Sequence, residues 1–127
     1  MTKKTKGSNA STNKKHAGIH LIADFWNGKI IEEPKKIENI LLAAAKRANN
    51  TPLKVIVHKF SPHGLTAVIL LAESHIALHN WPEFKYLAID IFTCGDKSMP
   101  YKALEYLREV FKPEKVEIRE LKRGRMR

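Results

Sequence analysis

Pro82 limits what this chain can become more than any other residue. It stands between Ala72-Glu73-Ser74-His75-Ile76-Ala77-Leu78-His79-Asn80-Trp81 and a second run that ends Phe92-Thr93-Cys94-Gly95. Its ring fixes its own φ and holds Trp81 extended, so no helix passes through the pair. Short apolar runs bounded by Pro and Gly read as strands, and Trp81-Pro82-Glu83-Phe84-Lys85 is expected to turn one into the next. Side chains on a strand alternate between faces. His75, Ala77, His79 and Trp81 then share one face of the first strand, and Tyr86, Ala88, Asp90, Phe92 and Cys94 one face of the second. If Trp81 pairs with Tyr86, antiparallel counting sets His79 opposite Ala88 and Cys94 opposite Glu73. Cys94 then lies beside Ser74, with His79 on the same face. A slip of one residue would reverse every side chain.

Elsewhere the pattern alternates between the two periods. His16 to Phe25 reads as a strand, with Ile19, Leu21 and Ala23 alternating against their neighbours, and Asn27-Gly28 ends it. Pro34, preceded by Glu32 and Glu33, opens a helix in which Ile37, Ile40, Leu41, Ala44 and Ala48 recur at helical spacing; Asn49-Asn50 stops it. Leu53 to Phe60 reads as a strand, Ser61-Pro62-His63-Gly64 as a turn. Leu65 to Ala72, nearly all apolar, reads as a strand covered on both faces. After the hairpin, Ser98 and Pro100 introduce a second helix carrying Leu104, Leu107, Val110 and Phe111. Lys112-Pro113 stops it, Val116 to Leu121 is a final strand, and Lys122-Arg123-Gly124-Arg125 is expected to fray. The order β-α-β-β-β-β-α-β predicts an α+β fold, a two-layer sandwich of a mostly antiparallel sheet with both helices on one face.

Charge separates the tails from this body. The 127 residues carry a formal +10, of which residues 1–16 hold +5 and residues 117–127 hold +3. Residues 1–16 contain no large apolar side chain after Met1 and read as a disordered basic tail, leaving 17–127 as a single domain. Basic tails can bind nucleic acid by counterion release, but no aromatic residue is interleaved with the lysines to stack on bases. A basic RNA-binding module is a distant alternative. No apolar run approaches the roughly 18 residues of a membrane span, and no apolar segment follows the charged N-terminus as in a secretory signal. The single cysteine cannot form an internal disulfide, which points to a cytosolic setting.

Taken singly, the polar residues of the hairpin have plain explanations. A lone buried cysteine behaves as a small hydrophobe, and Phe60 reads as core. His75 and His79 have the i, i+4 spacing of two zinc ligands on a helix, but no His-Glu-x-x-His and no cysteine pair accompanies them, so no metal site is expected.

Their combined spacing is different. Ala72-Glu73-Ser74-His75, His79-x-Trp81-Pro82-Glu83 and Phe92-Thr93-Cys94-Gly95 closely resemble the prokaryotic S-adenosylmethionine decarboxylase proenzymes, over a stretch from about Gly18 to the C-terminus. The resemblance implies a self-cleaving enzyme working through a pyruvoyl group, without a metal or pyridoxal phosphate. Decarboxylation of an amino acid leaves a carbanion, and a carbonyl that forms a Schiff base with the substrate amine is the electron sink. Ser74 would be the pyruvoyl precursor, and cleavage between Glu73 and Ser74 would give a β chain 1–73 and an α chain 74–127. By the same resemblance His79 is the base in elimination, Cys94 the proton donor to the decarboxylated carbon, and Thr66 a hydroxyl supporting cleavage. Phe60 would stack on adenine and Glu83 would hold the ribose hydroxyls. The implied setting is cytoplasmic polyamine (spermidine) biosynthesis, with a small-molecule substrate and a homodimer whose subunits stack their sheets. Asn80 stands where the family commonly has Thr, and Asp24-Phe25-Trp26-Asn27-Gly28 departs from the usual Leu-Tyr-Gly run. An arginine or ornithine decarboxylase on the same scaffold is the alternative, and would use Glu32, Glu33 or Asp24 against the far cationic end of its substrate.

Overall fold

The computed structural model describes residues 16–125. Six strands form one antiparallel sheet: β1 (Gly18–Trp26), β2 (Pro52–Lys59), β3 (Leu65–Leu71), β4 (Ser74–Trp81), β5 (Tyr86–Cys94) and β6 (Lys115–Arg123). Their order across the sheet is β2-β3-β4-β5-β1-β6. Helices α1 (Pro34–Arg47) and α2 (Pro100–Phe111) complete the expected β-α-β-β-β-β-α-β sequence. The basic tail predicted for residues 1–16 lies, apart from His16, outside the described residues.

Both helices begin at a proline whose missing N–H would have had no intrahelical partner. In α1, Ile37, Ile40, Leu41, Ala44 and Ala45 form one buried stripe. Asn49 then adopts φ 60, while the N–H groups of Asn49 and Asn50 donate to Lys46 O and Ala45 O at 3.0 Å each. This is a Schellman ending, in which an asparagine accepts the left-handed conformation at little cost. In α2 the buried stripe is Ala103, Leu104, Leu107 and Phe111. The helices pack on each other and on the sheet face formed by Leu21, Ala23 and Phe25 of β1, Ile76 and Leu78 of β4, and Leu87, Ile89 and Ile91 of β5. Each such fully buried Leu, Ile or Phe contributes about 1.5–3 kcal/mol.

The opposite face carries no helix, and here the structure corrects the sequence reading of β3. Only alternate residues of β3 are buried, and Leu70 is 51% exposed. The strand is covered on one face rather than two within this chain. The final strand is longer than expected, because Lys122 and Arg123 pair with β1 instead of fraying. The first strand starts at Gly18, two residues later than its apolar pattern suggested.

Candidate active site

Pro82 turns the chain as anticipated: Pro82–Phe84 form a short 3-10 turn that Lys85 closes at φ 52. The register follows, with Trp81 opposite Tyr86, His79 opposite Ala88 and His75 opposite Phe92. His75, His79 and Trp81 therefore share the helix-free face with Tyr86, Asp90, Phe92 and Cys94. Ring contacts confirm the side: Phe92 meets His75 at 6.0 Å and His20 at 5.4 Å between centroids.

At one end of this face sits the Glu73–Ser74 peptide. Leu71 pairs with Ser74, so Ala72 and Glu73 form a two-residue turn. Glu73 holds φ 78, a left-handed conformation that costs a residue with a side chain on the order of 1–3 kcal/mol. Its carboxylate oxygen Oε1 lies 3.4 Å from the Cβ position of Gly95, which brings the turn against Cys94-Gly95. The pleat sends Ser74 towards the side of Ile76 and Leu78, not that of His79. Its Oγ is buried with no hydrogen-bond partner. A hydroxyl adjoining the Glu73 carbonyl and tied to nothing else fits a precursor of a pyruvoyl group. Among the described residues, no cluster of three or more His, Cys, Asp or Glu could hold a metal ion.

At the other end of the same face are Thr66 and His79. They are cross-strand partners, and Thr66 Oγ1 lies 3.2 Å from His79 Nδ1. With Nδ1–H donating to the hydroxyl oxygen, the Nε2 lone pair of the imidazole stays free to accept a proton. Phe60 is half-exposed at the exit of β2, its ring edge-on to His58 at 4.6 Å. Glu83, in the 3-10 turn, stands 4.0 Å from His63 Nε2. The expected residues thus form two groups: Glu73, Ser74 and Cys94, and Thr66, His79, Phe60 and Glu83. Five residue steps along β4 separate Ser74 from His79, about 17 Å at 3.3–3.4 Å per residue. The fold sets Ser74 and Cys94 at the same end of the sheet with their side chains on opposite faces, so the expected side-by-side placement is not made, and it does not bring His79 to Ser74 of its own chain.

The two departures from the family pattern lie in different places. Asn80 points away from His79, its Nδ2 donating to Ile31 O at 3.3 Å. Trp26 faces the open side and stacks on Tyr86 at 4.4 Å; Tyr86 stacks on Trp81 at 5.4 Å. The three acids that an arginine or ornithine enzyme would need are already engaged. Glu32 accepts the Gly64 N–H at 3.1 Å, Glu33 pairs with Lys36 at 3.1 Å, and Asp24 accepts the Tyr86 hydroxyl. Burial and that hydrogen bond push the Tyr86 phenol up to about 12. Sequence reasoning missed Gly18, whose absent side chain makes room for Cys94: a Cβ there would stand 2.9 Å from Sγ. Only the β1–β5 register could have revealed it.

Known proteins resemble the chain in sequence and in fold. The family model for S-adenosylmethionine decarboxylase matches residues 19–124. The S-adenosylmethionine decarboxylase proenzyme of Pelotomaculum thermopropionicum is 42% identical over 112 residues, 87% of this chain and 89% of that one. The proenzyme of Methanococcus maripaludis strain C5 is 39% identical over 112 residues, 87% of this chain and 92% of the relative. The crystal structure of the adenosylmethionine decarboxylase from Aquifex aeolicus VF5 superposes with a TM-score of 0.83 at 35% identity, covering 90% of this chain and 96% of that chain.

Proposed function

The chain belongs to the S-adenosylmethionine decarboxylase family, and from that premise we propose that it decarboxylates S-adenosylmethionine using a pyruvoyl group made from its own Ser74. The observation that carries this reading is the buried, unpartnered Ser74 hydroxyl next to a left-handed Glu73, whose carboxylate lies against Gly95. Ser74 Oγ attacks the Glu73 carbonyl carbon, and an ester replaces the peptide bond. Removal of the Ser74 α-proton then expels the Glu73 carboxylate, leaving chains 1–73 and 74–127 of one domain, 17–127. Water converts the dehydroalanine at position 74 to the ketone and releases ammonia. The carbonyl so made supplies the electron sink that decarboxylation requires. Cys94 delivers a proton to the carbon that has lost carbon dioxide. Phe60 offers a face for adenine, and Glu83 accepts from the ribose hydroxyls.

His79 is suited to remove the Ser74 α-proton, with Thr66 fixing its tautomer, but only in trans. At about 17 Å, far beyond a hydrogen bond of about 3 Å, it cannot serve its own Ser74. A second copy supplies it. When two helix-free faces stack about a two-fold axis lying between them and across the strands, the partner's strands run in reverse. The Thr66–His79 end of one subunit then overlies the Ser74–Cys94 end of the other, twice. That face is suited to burial: Ile56, Leu70, Trp81 and Leu121 are each 41–59% exposed on it, and exposed apolar side chains gathered on one face mark an interaction surface. We therefore propose a homodimer with two shared sites, acting in cytoplasmic spermidine synthesis. Among the described residues no helix is long and apolar enough to cross a membrane.

A denaturing mass spectrum, followed by carbon dioxide release from S-adenosylmethionine, arginine and ornithine, tests the proposal. Two fragments split at Glu73/Ser74 and turnover of S-adenosylmethionine alone are expected, and Ser74→Ala should stay whole and inactive. An intact wild-type chain would end the pyruvoyl reading. Turnover of arginine or ornithine instead would move the substrate and keep the chemistry.

A further inference from the structure

The C-terminal strand was expected to fray before Arg123, yet Arg123 is its last paired residue and lies in the row of the reacting thiol. Arg123 pairs with Gly18 and Gly18 with Cys94, so the three cross β6, β1 and β5 side by side. Two strand spacings separate the Arg123 and Cys94 backbones, about 10 Å, a gap that an arginine side chain largely spans. Cys94 and Phe92 lean into the middle. Gly18 has no side chain, and a Cβ placed there would stand 2.9 Å from Cys94 Sγ and 3.0 Å from Phe92 Cε1. The Arg123 guanidinium carbon rests 4.9 Å from the Phe92 ring centre, which holds the cation on the open face at the Ser74 end. Its charge is not answered among the described residues. His20, which also touches Phe92, has Asp90 at 3.0 Å, whereas among the described residues Arg123 makes no ion pair.

We propose that Arg123 binds the α-carboxylate of the substrate, an inference resting on the reading of Ser74 as the future carbonyl. The substrate carbon that Cys94 protonates is the one from which the carboxylate leaves. When that carbon lies within reach of both residue 74 and Cys94 Sγ, the carboxylate has Arg123 beside it. A guanidinium matches a carboxylate in shape and charge. As the carbon–carbon bond breaks, negative charge leaves the carboxylate for the electron sink, so this contact is strongest before reaction and vanishes with carbon dioxide. Arg123 therefore acts in binding. Its loss should raise KM without lowering kcat in proportion.

The test compares Arg123→Met and Arg123→Lys with the wild type, each first checked for cleavage at Glu73/Ser74, which involves no substrate. In Arg123→Met, cleavage should be complete, and KM for S-adenosylmethionine should rise about 10- to 100-fold while kcat stays within about threefold. Titration calorimetry should show wild-type affinity for the decarboxylated product, which has no carboxylate. Arg123→Lys should recover part of the KM loss. If Arg123→Met fails to fold or cleave, the same comparison is read on Arg123→Lys, where substrate must weaken and product must not. An unchanged KM, or equal weakening of substrate and product, overturns the assignment. The wild type separates this failure from a broader one: if it releases no carbon dioxide from S-adenosylmethionine, the decarboxylase reading itself falls.

Discussion

Two defective variants should repair each other. Ser74→Ala removes the nucleophile and His79→Ala the base, and each expressed alone should remain mostly uncleaved. Loss of a positioned general base slows its step by about 10²- to 10⁴-fold. The distance between these residues within one chain, about 17 Å along β4, makes complementation the decisive assay. In a mixed dimer, one shared site joins intact Ser74 of the His79→Ala chain to intact His79 of the Ser74→Ala chain. The other site lacks both. With equal expression and random pairing, about half of the dimers are mixed, so about half of the His79→Ala chains, a quarter of all chains, should be cut. Co-expressing the two with different affinity tags and weighing the denatured products gives the fraction directly. Fragments should arise only from the His79→Ala chain. No cleavage above that of the separate variants would refute the shared site and require a route by which His79 reaches its own Ser74.

Gly18→Ala should destabilise the fold by about 1–3 kcal/mol, because its Cβ would lie 2.5 Å from Thr93 O; a urea midpoint equal to wild type would contradict the tight β1–β5 contact. Cys94→Ala should still cleave at Glu73/Ser74 but lose most turnover, and wild-type turnover would remove Cys94 as proton donor. Tyr86 titrates at about 12 in the fold against an ordinary 10.0, chiefly through burial and then its bond to Asp24. A folded value above the unfolded one gives stability that is whole below pH 10 and is lost as pH rises through about 12. Denaturation midpoints should therefore fall over that window, and less steeply in Tyr86→Phe; parallel slopes would show that Tyr86 contributes nothing. Tyr101, raised to about 12 mainly by its hydrogen bond to Glu120, leaves part of the fall in place.

Local chemistry made much of this structure readable from sequence. Pro82 fixes a turn, alternation fixes the faces, and together they place Cys94 and Ser74 at the same end of the hairpin. Asn49 and the two N1 prolines mark helix ends through backbone geometry that acts within a few residues. The pairing of β1 between β5 and β6 was not readable, since it joins positions 60 to 105 residues apart and leaves no short-range signal. With it went Gly18 and Arg123, whose importance exists only in the row they share with Cys94. The apolar run of β3 was read as a strand covered on both faces, but one chain has helices for only one. The separation of Ser74 from His79 was legible in principle: five residues on a strand are an odd number, and they span a distance no side chain crosses.

The strand order β2-β3-β4-β5-β1-β6 decides what becomes of the molecule once it has cut itself. The fragment 1–73 owns β1, β2 and β3; the fragment 74–127 owns β4, β5 and β6. Laid across the sheet, β1 of the first is wedged between β5 and β6 of the second, while β3 and β4 remain zipped along seven paired residues. The halves are dovetailed like the pieces of a joint, with three seams between them and both helices sharing one core. Parting them means unfolding both. Scission between Glu73 and Ser74 would open a chain end at the candidate active site without loosening the body that holds it.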